Sequence, residues 1–280
     1  MPDPGPAPSG PPPRLVASDL DGTLLAPDGT LSAPTRRVLA ALDEAGVPVV
    51  MVTARPLRWM GELWPAVGAH GLAVVSNGAL TWDVARHEPL DTRPFDPAAG
   101  RRVVERVLAA VPSAGIGVER VSGLTCDEVY CEHEDPPVGL VVADRDDLWD
   151  EPGLKLLVQD TSADPATLRE AVTQAVGEDA VATWTLPGLV EISAPGVTKG
   201  AALETVARRL GVDAADVAAF GDMPNDVPML RWAGRGYAVA GAHEDVRAAA
   251  DGVVGASEDD GVARALAGLF ALGSAVMDPC

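Results

Sequence analysis

Residues 15–25 read LVASDLDGTLL, an apolar run that ends in two aspartates separated by one residue. A short apolar run followed at once by polar residues is typical of a buried strand and the loop after it. One interpretation of Asp21-Gly22 is a hairpin turn, because glycine tolerates positive φ and aspartate bonds to its own backbone. That interpretation leaves Asp19 unexplained, so the rest of the chain has to decide its role.

Composition limits the classes of protein that this chain can belong to. It has 280 residues, 47% of them hydrophobic, which is enough for two domains or for one domain with a large insertion. With 21 basic and 41 acidic residues the net charge is −20. So acidic a chain repels the phosphates of nucleic acids and anionic lipids, and we expect neither nucleic acid nor membrane as a partner.

The N-terminus and the cysteines give weaker information. Residues 1–13 are rich in proline and lack an apolar core, so we predict a disordered tail rather than a signal peptide. Three cysteines cannot all pair, and we expect reduced thiols and a cytoplasmic location. Cys126, Cys131 and His133 make a poor zinc site, because no second cysteine pair follows them.

The hydrophobic pattern divides the chain into three parts. Short apolar runs alternate with helical periodicity over residues 14–80 and again over 188–272. Uniformly apolar strands separated by helices indicate a parallel sheet covered on both faces, so the predicted fold class is α/β with a Rossmann-like, doubly wound core. Residues 81–187 break this rhythm with proline-rich stretches and 21 acidic against 9 basic side chains. There we predict an inserted α+β cap domain.

Individual elements follow from apolar runs and from capping residues. The strands predicted in the core are residues 15–18, 47–52, 72–75, 189–192, 217–220 and 237–239. Five helices are predicted in the core. Two of them begin near Ser32 and Pro56, and the other three span residues 199–210, 244–249 and 259–272. The cap elements predicted are helices 97–111 and 165–176 and strands 115–121, 138–143, 154–158 and 180–185.

Polar residues lie next to the predicted core strands, at the edge of the sheet where ligands bind in open parallel folds. The segments are DLDGT at 19–23, TAR at 53–55, SNG at 76–78, TKG at 198–200 and GDMPND at 221–226. Together they supply four carboxylates, a lysine and a hydroxyl. Because neighbouring carboxylates repel each other, we expect a divalent cation between them, and oxygen ligands favour Mg²⁺ over zinc.

Two aspartates at such an edge can divide the work of phosphoryl transfer. An ionised Asp19 can attack phosphorus and form an aspartyl-phosphate. Asp21 can protonate the leaving alcohol and then activate water against the intermediate. A lysine and Thr53 can bind the phosphoryl oxygens, whose charge must be stabilised in the transition state. Lys199 is favoured as that lysine, because the chain contains only one other.

The segments DLDGT, TAR, VTKGAAL and GDMPNDVPML resemble, in order and spacing, the four motifs of the haloacid dehalogenase superfamily. The resemblance is to its Cof-type phosphatases with a C2 cap after the third core strand, and it covers nearly the whole chain after Arg14. It implies Asp19 as nucleophile and Asp21 as general acid and base, with the Asp19 carboxylate and the Asp21 carbonyl on Mg²⁺. It implies Asp222 as a further metal ligand and Asp226 beside the metal.

A second group of residues is predicted to contact the substrate. They are Thr53, Arg55, Asn77, Lys199 and Asn225. Ala54 stands where these phosphatases usually have glycine, which leaves the reach of Arg55 open. Asn77 can also be read as part of a simple turn, and Arg55 as part of a solvated helix face.

The predicted function is Mg²⁺-dependent hydrolysis of a small phosphomonoester, with a phosphosugar preferred because an acidic cap slows encounter with highly anionic substrates. A phosphosugar mutase or phosphotransferase on the same fold stays an alternative. A dehalogenase is disfavoured, because halide departure needs no proton donor such as Asp21. A catalytically silent phosphometabolite-binding protein could lose one of the reactive residues, yet all are present. The sequence does not predict the oligomeric state.

Overall fold

The computed structural model of the chain describes residues 11–131, 140–273 and 276–277. Its strands form an eight-stranded sheet and a six-stranded sheet. The strands are β1 (Leu15–Ser18), β2 (Val49–Val52), β3 (Leu72–Val75), β4 (Leu80–Asp83), β5 (Glu88–Thr92), β6 (Gly115–Arg120), β7 (Gly123–Cys126), β8 (Val141–Val142), β9 (Lys155–Gln159), β10 (Val181–Thr183), β11 (Leu189–Ser193), β12 (Val217–Gly221), β13 (Arg235–Val239) and β14 (Gly252–Val254). The α-helices are α1 (Ala33–Glu44), α2 (Pro97–Ala110), α3 (Glu128–Cys131), α4 (Pro165–Val176), α5 (Lys199–Leu210), α6 (Val227–Trp232), α7 (Glu244–Ala249) and α8 (Gly261–Leu269).

The larger sheet is the core, with strand order β14-β13-β12-β1-β2-β3-β4-β5. The pairs from β14 to β3 are parallel, whereas β4 and β5 add an antiparallel hairpin at one edge. Every residue of β1, β2 and β3 is buried, as expected for strands covered on both faces. The predicted α/β class with a parallel-sheet core is confirmed.

Capping residues set the helix that matters most for the site. The Thr198 hydroxyl accepts a hydrogen bond from the Ala201 amide at the start of α5, and Gly211 ends the helix in the left-handed conformation. Both features follow from residue type, since threonine is a favoured N-cap and glycine tolerates positive φ. The helix therefore begins at Lys199, as predicted, and fixes where this lysine enters the fold.

The smaller sheet has the order β10-β11-β9-β6-β7-β8 and belongs to the cap. The predicted boundaries need correction at both ends. The hairpin of β4 and β5 pairs with β3 in the core sheet, although residues from 81 onwards were expected in the cap. Conversely, β11 pairs with β9 and β10 of the cap, although 188–272 were expected in the core. Apolar runs predict strands, but hydrogen-bond partners decide the sheet to which each belongs.

Two local predictions were wrong. After Pro56 the chain forms two 3₁₀ segments, Leu57–Trp59 and Gly61–Ala66, in place of the expected α-helix. Pro65 lies inside the second segment, where its missing N–H prevents regular helical bonding. Cys126 is disulfide-bonded, in contrast to the expected reduced thiols. Residues 1–10 of the predicted tail, His133, and residues 138 and 139 of a predicted strand lie outside the described residues.

One large hydrophobic cluster includes buried apolar side chains from both sheets. It includes Leu15 and Phe220 of the core and Leu156 and Val172 of the cap, all fully buried. In the cap, α2 and α4 pack against each other. In the part of the chain that the structure describes, no helix combines the length and the apolar character needed to cross a bilayer.

Candidate active site

Asp19 follows the last residue of β1, at the carboxyl edge of the core sheet. Its amide donates to the carbonyl of Phe220 on neighbouring β12, at 3.0 Å, which ties the loop to the sheet. Gly22 has a φ of +72°, and this left-handed residue lets the chain turn within the helical segment Leu20–Leu24. As a result the Asp19 side chain is buried, whereas that of Asp21 is 57% exposed.

Lys199 reaches Asp19 from the first turn of α5. Its Nζ lies 2.8 Å from Oδ1 of Asp19 and 2.6 Å from Oδ1 of Asp226, and its side chain is completely buried. Burial by itself would lower the pKa of Lys199, but the two carboxylates outweigh it and raise that pKa above its ordinary value. The lysine is therefore a fixed positive charge between two aspartates.

Both oxygens of Asp226 are engaged by the protein. Oδ1 accepts from Lys199, and Oδ2 accepts from the backbone amides of Asp222 and Met223 at 2.9 and 3.0 Å. The side chain is fully buried. This bonding pattern describes a residue that holds the lysine and the loop after β12 in place.

Ligand atoms of Asp19, Asp222 and Asp226 all lie within 4.8 Å of one another. Burial, followed by repulsion from Asp226, raises the pKa of Asp19 well above its ordinary value despite the attraction of Lys199. The same two causes raise the pKa of Asp222 to about 6. A cluster whose carboxylates resist ionisation is one that a divalent cation would stabilise, and its oxygen donors fit a hard cation such as Mg²⁺.

Asp21 is paired with Arg55, which extends from the loop after β2. Nε and Nη2 of the arginine donate to the two carboxylate oxygens at 2.7 and 2.5 Å. The amide of Arg55 also donates to Oγ1 of the buried Thr53, at 3.0 Å. Arg55 is thus a direct partner of the second aspartate and lies outside any helix, so the alternative interpretation of a solvated helix face is wrong, whereas its contact with substrate stays a prediction.

The predicted site residues line two adjacent cavities. Asp19, Asp21, Thr53, Arg55 and Asp222 line a cavity of about 500 Å³ between the strand ends and the cap. The residues that line a smaller cavity of about 230 Å³ are Asn77, Lys199 and Asn225. Asp226 is not among the lining residues of either cavity. Most of the predicted reactive groups therefore face one space, with the lysine behind Asp19.

Asn77 and Asn225 are bonded to each other. The Asn225 amide donates to Oδ1 of Asn77 at 3.0 Å, and Asn77 Nδ2 donates to Glu191 of β11 at 3.2 Å. Asn77 has a φ of +57°, in the left-handed region that asparagine adopts more readily than most residues. The two asparagines link the core loops to the cap strand, and their contact with substrate stays a prediction.

Three charged residues of the cap were missed as site residues. Glu119, Lys155 and Glu191 line the larger cavity, beyond the strand ends of the core. Nζ of Lys155 is ion-paired with Glu191 and also donates to the carbonyl of Ala54, at 2.9 Å. Two signals in the sequence could have found them: Lys155 is one of only two lysines, and Glu191 interrupts the apolar strand LVEIS.

A family profile described as haloacid dehalogenase-like hydrolase matches residues 16–266. The chain belongs to the haloacid dehalogenase-like hydrolases. This membership confirms the resemblance that the four motifs indicated, and it agrees with a parallel-sheet core that carries an inserted cap.

Relatives of this haloacid dehalogenase-like hydrolase match it along most of its length. The HMP-PP phosphatase of Cronobacter sakazakii is 31% identical, over 82% of this chain and 85% of the relative. The 5-amino-6-(5-phospho-D-ribitylamino)uracil phosphatase YitU of Bacillus subtilis is 28% identical, over 93% and 98%. Among solved structures, SMU.1108c from Streptococcus mutans has a TM-score of 0.81 at 25% identity and covers 92% of this chain and 99% of its own.

Proposed function

We propose that this hydrolase is a Mg²⁺-dependent phosphatase that releases phosphate from a small phosphomonoester through an aspartyl-phosphate on Asp19. The observation that carries the proposal is the position of Asp19, which faces the larger cavity while Lys199 holds one of its oxygens at 2.8 Å. Relatives of similar length are named as phosphatases of small phosphorylated compounds, which supports the same reaction class.

In the first half of the proposed reaction, a carboxylate oxygen of Asp19 forms a bond to phosphorus, and the bond between phosphorus and the leaving oxygen breaks. Asp21 donates its proton to that leaving oxygen, which departs as the alcohol. Both oxygens of Asp21 accept from Arg55, so Asp21 first leaves this partner and takes a proton from solvent, to which it is exposed, before it donates that proton to the leaving oxygen. Thr53 lines the same cavity and can donate its hydroxyl proton to a phosphoryl oxygen.

In the second half, Asp21 takes a proton from water, the water oxygen bonds to phosphorus, and the acyl phosphate breaks to give phosphate and free Asp19. Asp19 and Asp222 would hold the cation, together with the Asp21 carbonyl that the family resemblance implies. When bound, Mg²⁺ neutralises charge on the phosphoryl oxygens. Lys199 opposes the rise in the pKa of Asp19 that burial causes, and Asp226 holds the lysine beside Asp19.

The substrate class proposed here is a small phosphorylated metabolite, with a phosphosugar as the first candidate. A cavity of about 500 Å³ accommodates a compound of this size. The cytoplasmic location also stays a prediction.

Release of phosphate from 4-nitrophenyl phosphate, with and without Mg²⁺, tests the proposal. We expect turnover that depends on Mg²⁺, and loss of that turnover in Asp19→Asn. Asp28→Asn is the matched control, since Asp28 lies in an exposed loop where its side chain accepts from the amide and hydroxyl of Thr30. Acid-quenched enzyme should carry labelled phosphate that Asp19→Asn cannot carry. Equal turnover by Asp19→Asn would disprove the mechanism.

A further inference from the structure

The larger cavity has a charged wall in which each cation already has a partner. Among its described lining residues, the cations are Arg55, Arg58 and Lys155. The ion pairs that they form are Arg55–Asp21, Arg58–Glu119 and Lys155–Glu191. Beyond the residues assigned to the phosphoryl group, the charges of this wall therefore cancel.

The pair of Arg58 and Glu119 joins the core loop after β2 to the cap. Nε and Nη2 of Arg58 each lie 3.1 Å from an oxygen of Glu119, which is the two-pronged geometry of a strong ion pair. The Glu119 side chain is 1% exposed and that of Arg58 is 13% exposed. The guanidinium also lies 4.8 Å from the ring centroid of Trp59. The charge of Arg58 is thus paired with Glu119 through Nε and Nη2, whereas its buried Nη1 has no hydrogen-bond partner among the described residues.

The pair of Lys155 and Glu191 is likewise satisfied inside the protein. The two side chains are 3% and 5% exposed. Besides Glu191, Lys155 binds the carbonyl of Ala54 at 2.9 Å. Glu191 in turn accepts from Asn77 at 3.2 Å. Separating a buried ion pair leaves a charge uncompensated inside the protein, so a ligand does not readily recruit this lysine.

The same cavity also has apolar lining. Large apolar and aromatic side chains that line it are Trp59, Tyr130, Leu157, Leu186 and Leu189. Such surfaces bind carbon-rich faces of a ligand, whereas an additional anion there would lose its water without gaining a free cation.

We propose that this cavity selects phosphomonoesters whose leaving group is uncharged and presents an apolar face, and that it rejects substrates with a second anionic group. The inference rests on the proposed phosphatase function. Where the leaving group meets the cap, a carboxylate or second phosphate finds no unpaired cation, because Arg58 and Lys155 are already held by Glu119 and Glu191. An unphosphorylated sugar or a heteroaromatic alcohol satisfies the requirement.

The test compares 4-carbamoylphenyl phosphate with 4-carboxyphenyl phosphate, which have nearly the same shape and differ by one negative charge. We expect kcat/KM to be at least about tenfold higher for the amide, which corresponds to about 1.4 kcal/mol of discrimination. Equal values, or a preference for the carboxylate, would overturn the inference while leaving the phosphatase function intact.

Binding of the two corresponding phosphonates, measured by calorimetry, separates the inference from the proposed function. If neither phosphate ester is hydrolysed but the amide phosphonate binds at least about tenfold more tightly, the phosphatase proposal fails and the selection for an uncharged group stands. If the two phosphonates bind equally, the inference fails whatever the turnover.

Glu119→Gln provides a gain-of-function test, because it frees the charge of Arg58 with little change of shape. We expect the preference for the amide to shrink by about tenfold or more relative to the wild type.

Asp179→Asn is the matched control. It frees Arg106 from an ion pair of 2.8 Å on the exposed surface, and the preference of this variant for the amide should equal that of the wild type. An unchanged preference in a folded Glu119→Gln variant would contradict the role of this pair. If that variant does not fold, the wild-type ratio still decides.

Discussion

Nζ of Lys199 lies 2.6 Å from Oδ1 of Asp226, and neither side chain is exposed to solvent. The same nitrogen contacts Asp19 at 2.8 Å. A single ammonium therefore compensates two buried carboxylates, one assigned to the chemistry and one to the scaffold. This arrangement links the stability of the fold to the reactivity of the first aspartate.

Lys199→Met should lower both stability and activity. Removing the ammonium leaves two buried carboxylates uncompensated, which should cost about 3–5 kcal/mol of unfolding free energy. Loss of a charged donor beside the reacting phosphoryl group should lower kcat by about 10²–10³-fold. Urea unfolding and turnover of 4-nitrophenyl phosphate measure the two effects.

The double variant Lys199→Met with Asp226→Asn separates those effects. Neutralising Asp226 removes one of the two uncompensated charges, so part of the lost stability should return while activity stays low. Recovery of full turnover in the double variant would show that Lys199 is not needed for the reaction.

Asp222→Asn and Asp226→Asn should differ in their need for metal. Asp222 lines the cavity beside Asp19, so its loss should raise the Mg²⁺ concentration for half-maximal activity by about 10–100-fold. Both oxygens of Asp226 are bonded to protein groups, so its loss should mainly reduce stability, by about 1–3 kcal/mol. Mg²⁺ titrations of activity and urea unfolding of both variants check this contrast. A larger shift in the metal requirement for Asp226→Asn would contradict it.

The core part of the site was predictable because parallel strands end at a common edge. Asp19 and Asp222 lie far apart in the sequence, yet each follows a buried strand, and β1 pairs directly with β12. Once both strands are recognised from their apolar runs, the meeting of their polar ends follows from sheet geometry. The prediction that Lys199 joins them came from the scarcity of lysine and from the family resemblance, and the N-cap at Thr198 is the local feature that sets where its helix begins.

The cap part of the site was not predictable in the same way. Glu119, Lys155 and Glu191 reach the cavity because the cap sheet lies over the core loops, and no local pattern encodes that docking. Even the sheet to which β11 belongs depends on pairing with β9, distant in sequence. An ion pair buried between the cap and the core loops depends on the tertiary structure. The apolar run LVEIS with its one glutamate does not show which residue that glutamate will meet.

Gly78→Ala should be much more damaging than Gly46→Ala, although both glycines have positive φ. A Cβ at Gly46, where φ is +72°, meets nothing within 4 Å, so only backbone strain of about 1–2 kcal/mol is expected. At Gly78, where φ is +99°, the added carbon would collide with the carbonyl of Thr198 and lie 3.1 Å from Cβ of Ala202.

Because Thr198 caps the helix that carries Lys199, Gly78→Ala should also reduce turnover, whereas Gly46→Ala should not. The additional stability cost at Gly78 should be about 1–3 kcal/mol, typical of forced overpacking. Urea unfolding and 4-nitrophenyl phosphate turnover of the two variants test this. Equal stability losses would mean that the turn at Gly78 adjusts freely, in conflict with its close approach to α5.

His70 should make the fold less stable as the pH falls. Its Nδ1 accepts from the Leu72 amide at 3.1 Å, and Nε2 lies 3.1 Å from the Val49 carbonyl, an arrangement that suits the neutral ring. Burial lowers the pKa of His70 from its ordinary value of 6.5, although the Val49 contact and Asp43 partly oppose this effect. The unfolded chain therefore binds a proton at a higher pH than the folded protein does. As the pH falls through about 6.5, the free energy of unfolding should decrease, and the loss should stop below the folded pKa.

The comparison with His70→Gln isolates this contribution from the carboxylates, which also titrate in acid. Glutamine can both donate and accept but does not titrate, so its unfolding free energy should fall less than that of the wild type between about pH 7.5 and pH 5.5. Urea unfolding at several pH values gives both curves. Parallel curves would show that His70 keeps the same pKa in the folded and unfolded states, and the strand end at Leu72 would then tolerate a charged imidazole.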